Sequence, residues 1–292
     1  MQLRSREDLV RSHVGQVLHP SDEERVLTLF PYDKQALQDR QFSNAIFKER
    51  IPDHPLITVR ANGVDLKDHF GLTTDVFAQK QPQGILPFSE HRVWHMDASD
   101  YPCPPEVSSI YVIQNPPEGA DTVFASAVAA FENLSDELKA HVLQLQSYNA
   151  RGTGPIGFHM SENGVRRLDD MDAKIAKAKE EGNWTEQPLL PFVIQDPDTG
   201  KRSLLLSTQL LHSFHGMSRE DSLALLDQVL APALVDSEVY SLKWQPHDFA
   251  IWANRRLIHS ASPTKDWANE HSRLIHLVFL DSDQPVVPAA TV

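Results

Sequence analysis

Two histidines and one aspartate, His95, Asp97 and His259, constrain the fold of this chain more than any other feature. His95-Met96-Asp97 is an H-x-D pair. On extended backbone, residues i and i+2 point to the same face, so these two side chains can reach one ion together. His259 ends the run Ile251-Trp252-Ala253-Asn254-Arg255-Arg256-Leu257-Ile258-His259, far downstream. The fold has to bring it in from another strand. A chain that uses all three must therefore pack sequence-distant segments side by side.

Two imidazoles and a carboxylate form the ligand set of mononuclear non-haem iron(II) oxygenases, in which three protein ligands leave positions open on the metal. An H-x-D pair alone is common, and the chain carries 14 histidines. The plain structural reading is a surface or core histidine beside a turn-forming aspartate. The surrounding sequence has to decide between the two.

Composition narrows the class. A chain of 292 residues is long enough for one large β domain or two ordinary ones. At 41% hydrophobic and 23% charged it reads as a soluble globular protein. Its formal net charge is −13, with no basic stripe. That argues against a nucleic-acid partner and against an anionic membrane surface. Cys103 is the single cysteine, so no intrachain disulfide can form, as suits a reducing compartment. The first residues lack the apolar core of a signal peptide, and no stretch approaches the roughly 20 apolar residues of a membrane span. The expectation is a soluble, cytoplasmic protein that acts on a small molecule.

Along the chain, residues 5–14 and 34–49 have helix-like composition, and Pro55-Leu-Ile-Thr-Val-Arg60 reads as a short strand. Residues 72–90 mix Gly, Pro, Gln and Phe without a period, which predicts a long loop. From Val93 strand signals dominate. Val107–Gln114 is a strand closed by the turn cluster Asn115-Pro-Pro-Glu-Gly119, and Asp121–Phe124 follows. Helices are predicted from about Ser126 and after Ser135, which has Asp136 and Glu137 in the first turn behind it. Residues 164–181 predict an exposed helix, an insert or lid within about 150–190. Pro191–Ile194 and Ser203–Ser207 predict a hairpin around Asp196–Gly200. Ser218 caps a helix to about Leu230, and strands recur at 238–244, 248–253 and 273–280. Short strands with Pro/Gly turns and few helices predict a mostly β sandwich or jelly roll.

Several segments stand in a telling order: Trp94-His95-Met96-Asp97; Pro117-Glu-Gly-Ala-Asp-Thr122; Trp244-Gln-Pro-His-Asp-Phe-Ala-Ile-Trp252-Ala-Asn-Arg255 with His259; and Arg273-Leu-Ile-His276. In this order the chain resembles the iron(II)/2-oxoglutarate-dependent dioxygenases of the taurine-catabolism and chlorophenoxyacetate type, over roughly residues 93–285. The resemblance implies a double-stranded β-helix, a cupin-like jelly roll. It implies one dioxygenase domain over 1–292, with residues 1–90 as a divergent part shaping the substrate entrance and 93–285 as the jelly-roll core. It implies Fe(II) held by His95, Asp97 and His259, with 2-oxoglutarate and O2 as co-substrates. Arg273 and Thr122 would hold the distal carboxylate, since a guanidinium fork matches a carboxylate and a hydroxyl adds one donor. Decarboxylation of 2-oxoglutarate would then be coupled to hydroxylation of a small organic substrate, or to a diverted desaturation or cyclisation. Such proteins are often homo-oligomers, so self-association is part of what the resemblance implies.

Trp94 and Trp252 are expected to pack near the metal, and Asn254 and Arg255 to orient the loop leading to His259. Candidate substrate contacts are Phe88, His91, Arg151 and Leu277. Leu277 stands where taurine dioxygenases carry a second arginine for the sulfonate, so an apolar portion of the substrate is expected there. Ala253 and Ala120 replace an Asp and a Gly of the pattern. A zinc-type hydrolase could use the same two histidines and Asp97 with an open water. Arg273 with Thr122 argues against it, because hydrolysis needs no dicarboxylate clamp. A catalytically silent 2-oxoglutarate-binding module is the third reading, and the intact ligand set argues against that.

Overall fold

The computed structural model describes residues 8–14, 17–30, 50–63, 67–72, 92–150, 171–182, 184, 186–262, 270–280 and 284–290. Its strands, in chain order, begin with β1 (Leu9–His13), β2 (Arg50–Ile51), β3 (His54–Gly63), β4 (Val107–Gln114) and β5 (Thr122–Ser126). There follow β6 (Gln146–Asn149), β7 (Leu190–Pro191), β8 (Val193–Gln195), β9 (Arg202–Leu204) and β10 (Leu211–Phe214). The last are β11 (Tyr240–Leu242), β12 (Asp248–Ala253), β13 (Leu257–Ala261), β14 (Ser272–Leu280) and β15 (Val287–Pro288). The helices are α1 (Pro20–Leu27), α2 (Ala127–Glu132), α3 (Asp136–Val142), α4 (Met171–Glu180) and α5 (Arg219–Leu230).

The main sheet has six strands in the order β1-β12-β4-β14-β3-β2, and every pairing is antiparallel. A second sheet, β11-β5-β13, packs against it through a shared apolar cluster. Most neighbours in these two sheets are non-consecutive in sequence, with β2-β3 the exception, which makes this a jelly roll, as the strand pattern predicted.

Alternation along the strands explains where the cores lie. Ile275 and Leu277 of β14 enter the space between the sheets with Ile110, Val112, Phe124, Trp244, Ala250 and Trp252. Their neighbours Leu274 and Val278 face the opposite way, onto Ile57, Val59, Tyr111, Phe249 and Leu27 of α1. A period of two on a strand covered on both sides gives β14 its apolar run over 274–280, interrupted by His276. Each fully buried Leu, Ile or Phe here contributes roughly 1.5–3 kcal/mol. A third cluster packs α2 and α5 against β8 and β9, with Trp94 and Met96 at its edge.

Three helices start as the sequence predicts. Ser126, Ser135 and Ser218 each accept a hydrogen bond from a backbone N–H in the first turn, which satisfies a donor that would otherwise lack a partner. The hairpin forms between β8 and β9, with Asp196 Oδ1 accepting from the Asp198 and Thr199 backbone N–H groups in its turn.

Other expectations need correction. Residues 9–13 form a strand, not a helix, because β12 offers an open edge to pair with; sheet pairing overrides weak local propensity. The strand expected at 55–60 runs from His54 to Gly63 and lies inside the main sheet beside β14. The first 90 residues thus supply three strands of that sheet, and a core counted from residue 93 leaves them out. Gly63 sits at φ +108°, where a Cβ would fall 2.0 Å from the His271 carbonyl oxygen, so only glycine ends β3 there. The expected exposed helix is seen as Met171–Glu180. Residues 34–49 and most of 72–90 lie outside the described residues. No helix among the described residues is long and apolar enough to cross a membrane.

Candidate metal centre

His95 sits between two partners, forming antiparallel bridges to His259 on one side and Ser207 on the other. Backbone bonds Met96 N–H to Leu206 and Thr208 N–H to Trp94, 3.0 and 2.9 Å, hold this short extended piece in place. Alternation then sends Trp94 and Met96 into the apolar cluster under α2 and α5 and leaves His95 on the opposite face. Trp94 therefore backs the site rather than lining it. Asp97 already belongs to the turn over 97–100, not to a regular strand, yet its carboxylate returns to the His95 side.

The three side chains converge. One ligand atom from each of His95, Asp97 and His259 lies within 4.8 Å of the others, a spacing that could hold one metal ion. Asp97 Oδ1 is 3.6 Å from His95 Nε2 and 3.6 Å from His259 Nε2. His95 Nδ1–H donates to the Val93 carbonyl at 2.9 Å, which fixes the tautomer and leaves Nε2 as the free lone pair. The His259 ring lies against Phe124 and Trp252, with centroids 5.7 and 5.2 Å away.

Asp97 is divided in the same way. Its Oδ2 accepts the Ser108 hydroxyl at 2.7 Å, while Oδ1 faces the histidines. Burial opposes ionisation of this carboxyl. The His259 and His95 rings and the Ser108 hydroxyl outweigh it and hold the group below the usual carboxylate range. Burial pushes His259 down to about 4 against the pull of Asp97. For His95 the burial penalty is overcome by Asp97 and the Val93 carbonyl, and its pKa rises. An anionic carboxylate beside a neutral imidazole is what a divalent cation needs.

Asn254 and Arg255 act on the segment after Asp97 rather than on the approach to His259. Asn254 Oδ1 accepts from the Asp97 backbone N–H at 2.9 Å. Its Nδ2 donates to the Asp97 and Pro105 carbonyls at 3.0 and 2.9 Å. Arg255 donates to the Pro104 and Gln284 carbonyls. Ser108 went unnoticed in the sequence. The available signal is a polar residue on the inward face of β4, in register with Ile110 and Val112.

Arg273 opens β14 on the same face as Ile275 and Leu277, opposite Asn62 of β3. Its Nε and Nη2 are buried and have no hydrogen-bond partner among the described residues. Burial lowers its pKa to about 10, with the Asp121 charge opposing. Thr122 is buried on β5 in register with Leu242 and Ala261, and its Oγ1 accepts the indole N–H of Trp244 at 2.9 Å. Leu277 is half-buried, opposite Thr58 and Ile110. Phe88, His91 and Arg151 lie outside the described residues. His276 of the same segment faces away from the site, its Nδ1 2.6 Å from Glu23 Oε2.

The chain is similar to several known proteins. Over 187 residues, 62% of the chain, it is 29% identical to the (S)-phenoxypropionate/alpha-ketoglutarate-dioxygenase of Sphingobium herbicidovorans. Over 170 residues it is 28% identical to the pentalenolactone F synthase of Streptomyces arenae. The matched stretches span 61% and 55% of those relatives' own lengths. Among solved structures, a taurine dioxygenase from Burkholderia xenovorans superposes with a TM-score of 0.56 at 22% identity, covering 94% of this chain and 86% of that one. At that identity the likeness concerns the fold. The profile of one family, described as "Taurine catabolism dioxygenase TauD, TfdA family", matches residues 24–278, from α1 through β14, and the chain belongs to that family.

Proposed function

We propose that this chain is a ferrous-iron and 2-oxoglutarate-dependent oxygenase that oxidises a small organic substrate in the cytoplasm. The observation that carries the reading is Arg273. A guanidinium with two buried, unpartnered N–H positions is costly in an apolar interior unless an anion completes it. The distal carboxylate of 2-oxoglutarate is such an anion, and Thr122 supplies a further hydroxyl.

His95, Asp97 and His259 are the residues that would hold the metal. Ferrous iron with bound 2-oxoglutarate and O2 supplies the oxidising chemistry, releasing succinate and CO2. The protein's own part is positional. Ser108 keeps Asp97 Oδ1 turned to the histidines, Val93 keeps His95 Nε2 free, and Asn254 fixes the backbone of Asp97. The ring packing of Phe124 and Trp252 on His259 limits water beside the ligand set. Leu277 presents apolar surface on the cavity face, which suits an apolar portion of the substrate, with Phe88, His91 and Arg151 as further candidate contacts. Hydroxylation, or a diverted desaturation or cyclisation, is the expected outcome.

Anaerobic addition of Fe(II) and 2-oxoglutarate to metal-free protein tests this. The expected result is a weak visible charge-transfer band that is lost or weakened in Asp97→Ala and Arg273→Ala. Folded wild-type protein that binds iron without producing the band would refute the reading.

A further inference from the structure

We infer that Trp244 is a positioning residue for the 2-oxo acid: its indole N–H orients the Thr122 hydroxyl so that the hydroxyl proton is presented to the distal carboxylate. The inference rests on the function proposed above.

The chemistry of the pair leaves little choice. An indole N–H can only donate, whereas a threonine hydroxyl has one proton and two acceptor lone pairs. Trp244 Nε1 lies 2.9 Å from Thr122 Oγ1, and both residues are buried. Thr122 must therefore be the acceptor. One lone pair is used, and the hydroxyl proton is left to point elsewhere. Among the described residues nothing accepts that proton. Thr122 adjoins Asp121, the residue whose charge acts on Arg273, so the two incomplete donors belong to one region of the cavity.

Trp244 is itself held. Asn115 Nδ2 donates to the Trp244 carbonyl at 3.2 Å and to the Pro116 carbonyl at 3.1 Å. The register Leu242↔Thr122 brings the end of β11 alongside β5, two residues before the indole. Asn115 thus anchors the Trp244 backbone, and the indole bond ends on a hydroxyl whose proton is without an acceptor among the described residues. Donation by the indole N–H to Thr122 Oγ1 polarises that hydroxyl, which strengthens it as a donor toward an anion. Thr122 is β-branched and restricted at χ1, so removing the indole frees chiefly the hydroxyl rotor. Trp244 also packs among Phe124, Trp252 and Ile275. A packing role and a positioning role must therefore be told apart.

Two ligands separate them: 2-oxoglutarate, and 2-oxovalerate, which has the same carbon chain without the distal carboxylate. Their dissociation constants are measured anaerobically on the Fe(II)-loaded protein by the charge-transfer band. Trp244→Phe, which keeps an aromatic ring but no N–H, is expected to weaken 2-oxoglutarate about 5- to 10-fold, less than the roughly tenfold or more of a full hydrogen bond to a charge. It should leave 2-oxovalerate within about 2-fold, and add less than about 2-fold in a Thr122→Val background. Equal weakening of both acids, or an undiminished effect in Thr122→Val, would overturn the inference and leave Trp244 as packing.

A second readout needs no Trp244 variant. In wild-type protein loaded with Zn(II), one of the five tryptophan indole N–H resonances should shift with 2-oxoglutarate and not with 2-oxovalerate, and that discrimination should vanish in Thr122→Val. No indole resonance that distinguishes the two acids would also overturn the inference. Wild-type protein that binds neither acid would refute the oxygenase reading and this inference with it. Wild-type binding with Trp244→Phe indistinguishable from it refutes the inference alone.

Discussion

His95 and His259 face each other across an antiparallel bridge and exchange both backbone hydrogen bonds, at 3.0 and 2.9 Å. Directly opposed residues project to the same face, so this single pairing brings the two rings to a centroid distance of 4.3 Å. A slip of one residue would turn Trp94 or Met96 toward the cavity and send the imidazole into the apolar cluster behind it. The register of this pair therefore decides whether the two imidazoles can converge with Asp97.

The Ser108 hydroxyl occupies Asp97 Oδ2 and so leaves Oδ1 as the oxygen facing the two histidines. Ser108→Ala frees both oxygens and removes one donor that stabilises the carboxylate. Affinity for Fe(II) or Co(II) should fall about 10- to 100-fold with the fold intact. A competition titration against a chelator of known affinity checks this, and an unchanged constant would rule out the orienting role.

Arg273 sets function against stability. Replacement by Met fills similar volume and removes a buried guanidinium with unpartnered donors. The ligand-free protein should gain about 1–3 kcal/mol toward urea unfolding. Affinity for 2-oxoglutarate should drop by at least about tenfold. A variant that loses stability would mean that the guanidinium is already compensated without a ligand.

Ala120 carries a φ of +56°, in the left-handed region, directly after Gly119 at +77°. A Cβ in this conformation costs roughly 1–2 kcal/mol, part of which the greater freedom of an unfolded glycine chain offsets. Ala120→Gly should stabilise the protein by about 0.5–1 kcal/mol. Thermal unfolding, expected to move up by a few degrees at most, provides the measurement.

Behind the main sheet, His69 Nε2 meets His276 Nε2 at 2.7 Å, and His276 Nδ1 meets Glu23 Oε2 at 2.6 Å. Burial, and then the neighbouring His276, push His69 from 6.5 down to about 4. Between those values the unfolded chain binds a proton that the folded chain excludes, so stability falls as pH drops from 6.5 toward 4. His69→Gln removes this contribution. Urea midpoints recorded at pH values from about 7 to about 4.5 should fall less steeply for the variant than for wild type. Parallel curves would show that His69 does not carry the dependence.

How much could be read from residues alone depends on how local the signal is. Ser126, Ser135 and Ser218 cap helices through bonds spanning three residues, so composition nearby suffices. The strands Val107–Gln114 and Asp248–Ala253 were legible as well. Residues 9–13 misled because their state depends on an edge supplied by β12 from the far end of the chain. The bonds made by Ser108 and Trp244 escaped for the same reason. Their partners Asp97 and Thr122 are met through sheet register and not through sequence spacing.

By itself the sequence determined the chemical inventory: two imidazoles, a carboxylate and an arginine at recognisable spacings, on short strands that alternate between two faces. Only the tertiary structure decided how these side chains meet and which neighbours orient them. His95 and His259 are opposed across a bridge, while His276, three residues after Arg273, is turned to the other side of the sheet toward Glu23. The physical reason is that a strand has two faces. Which face looks into the cavity is set by pairing with chain segments far away in sequence, and local composition does not encode it.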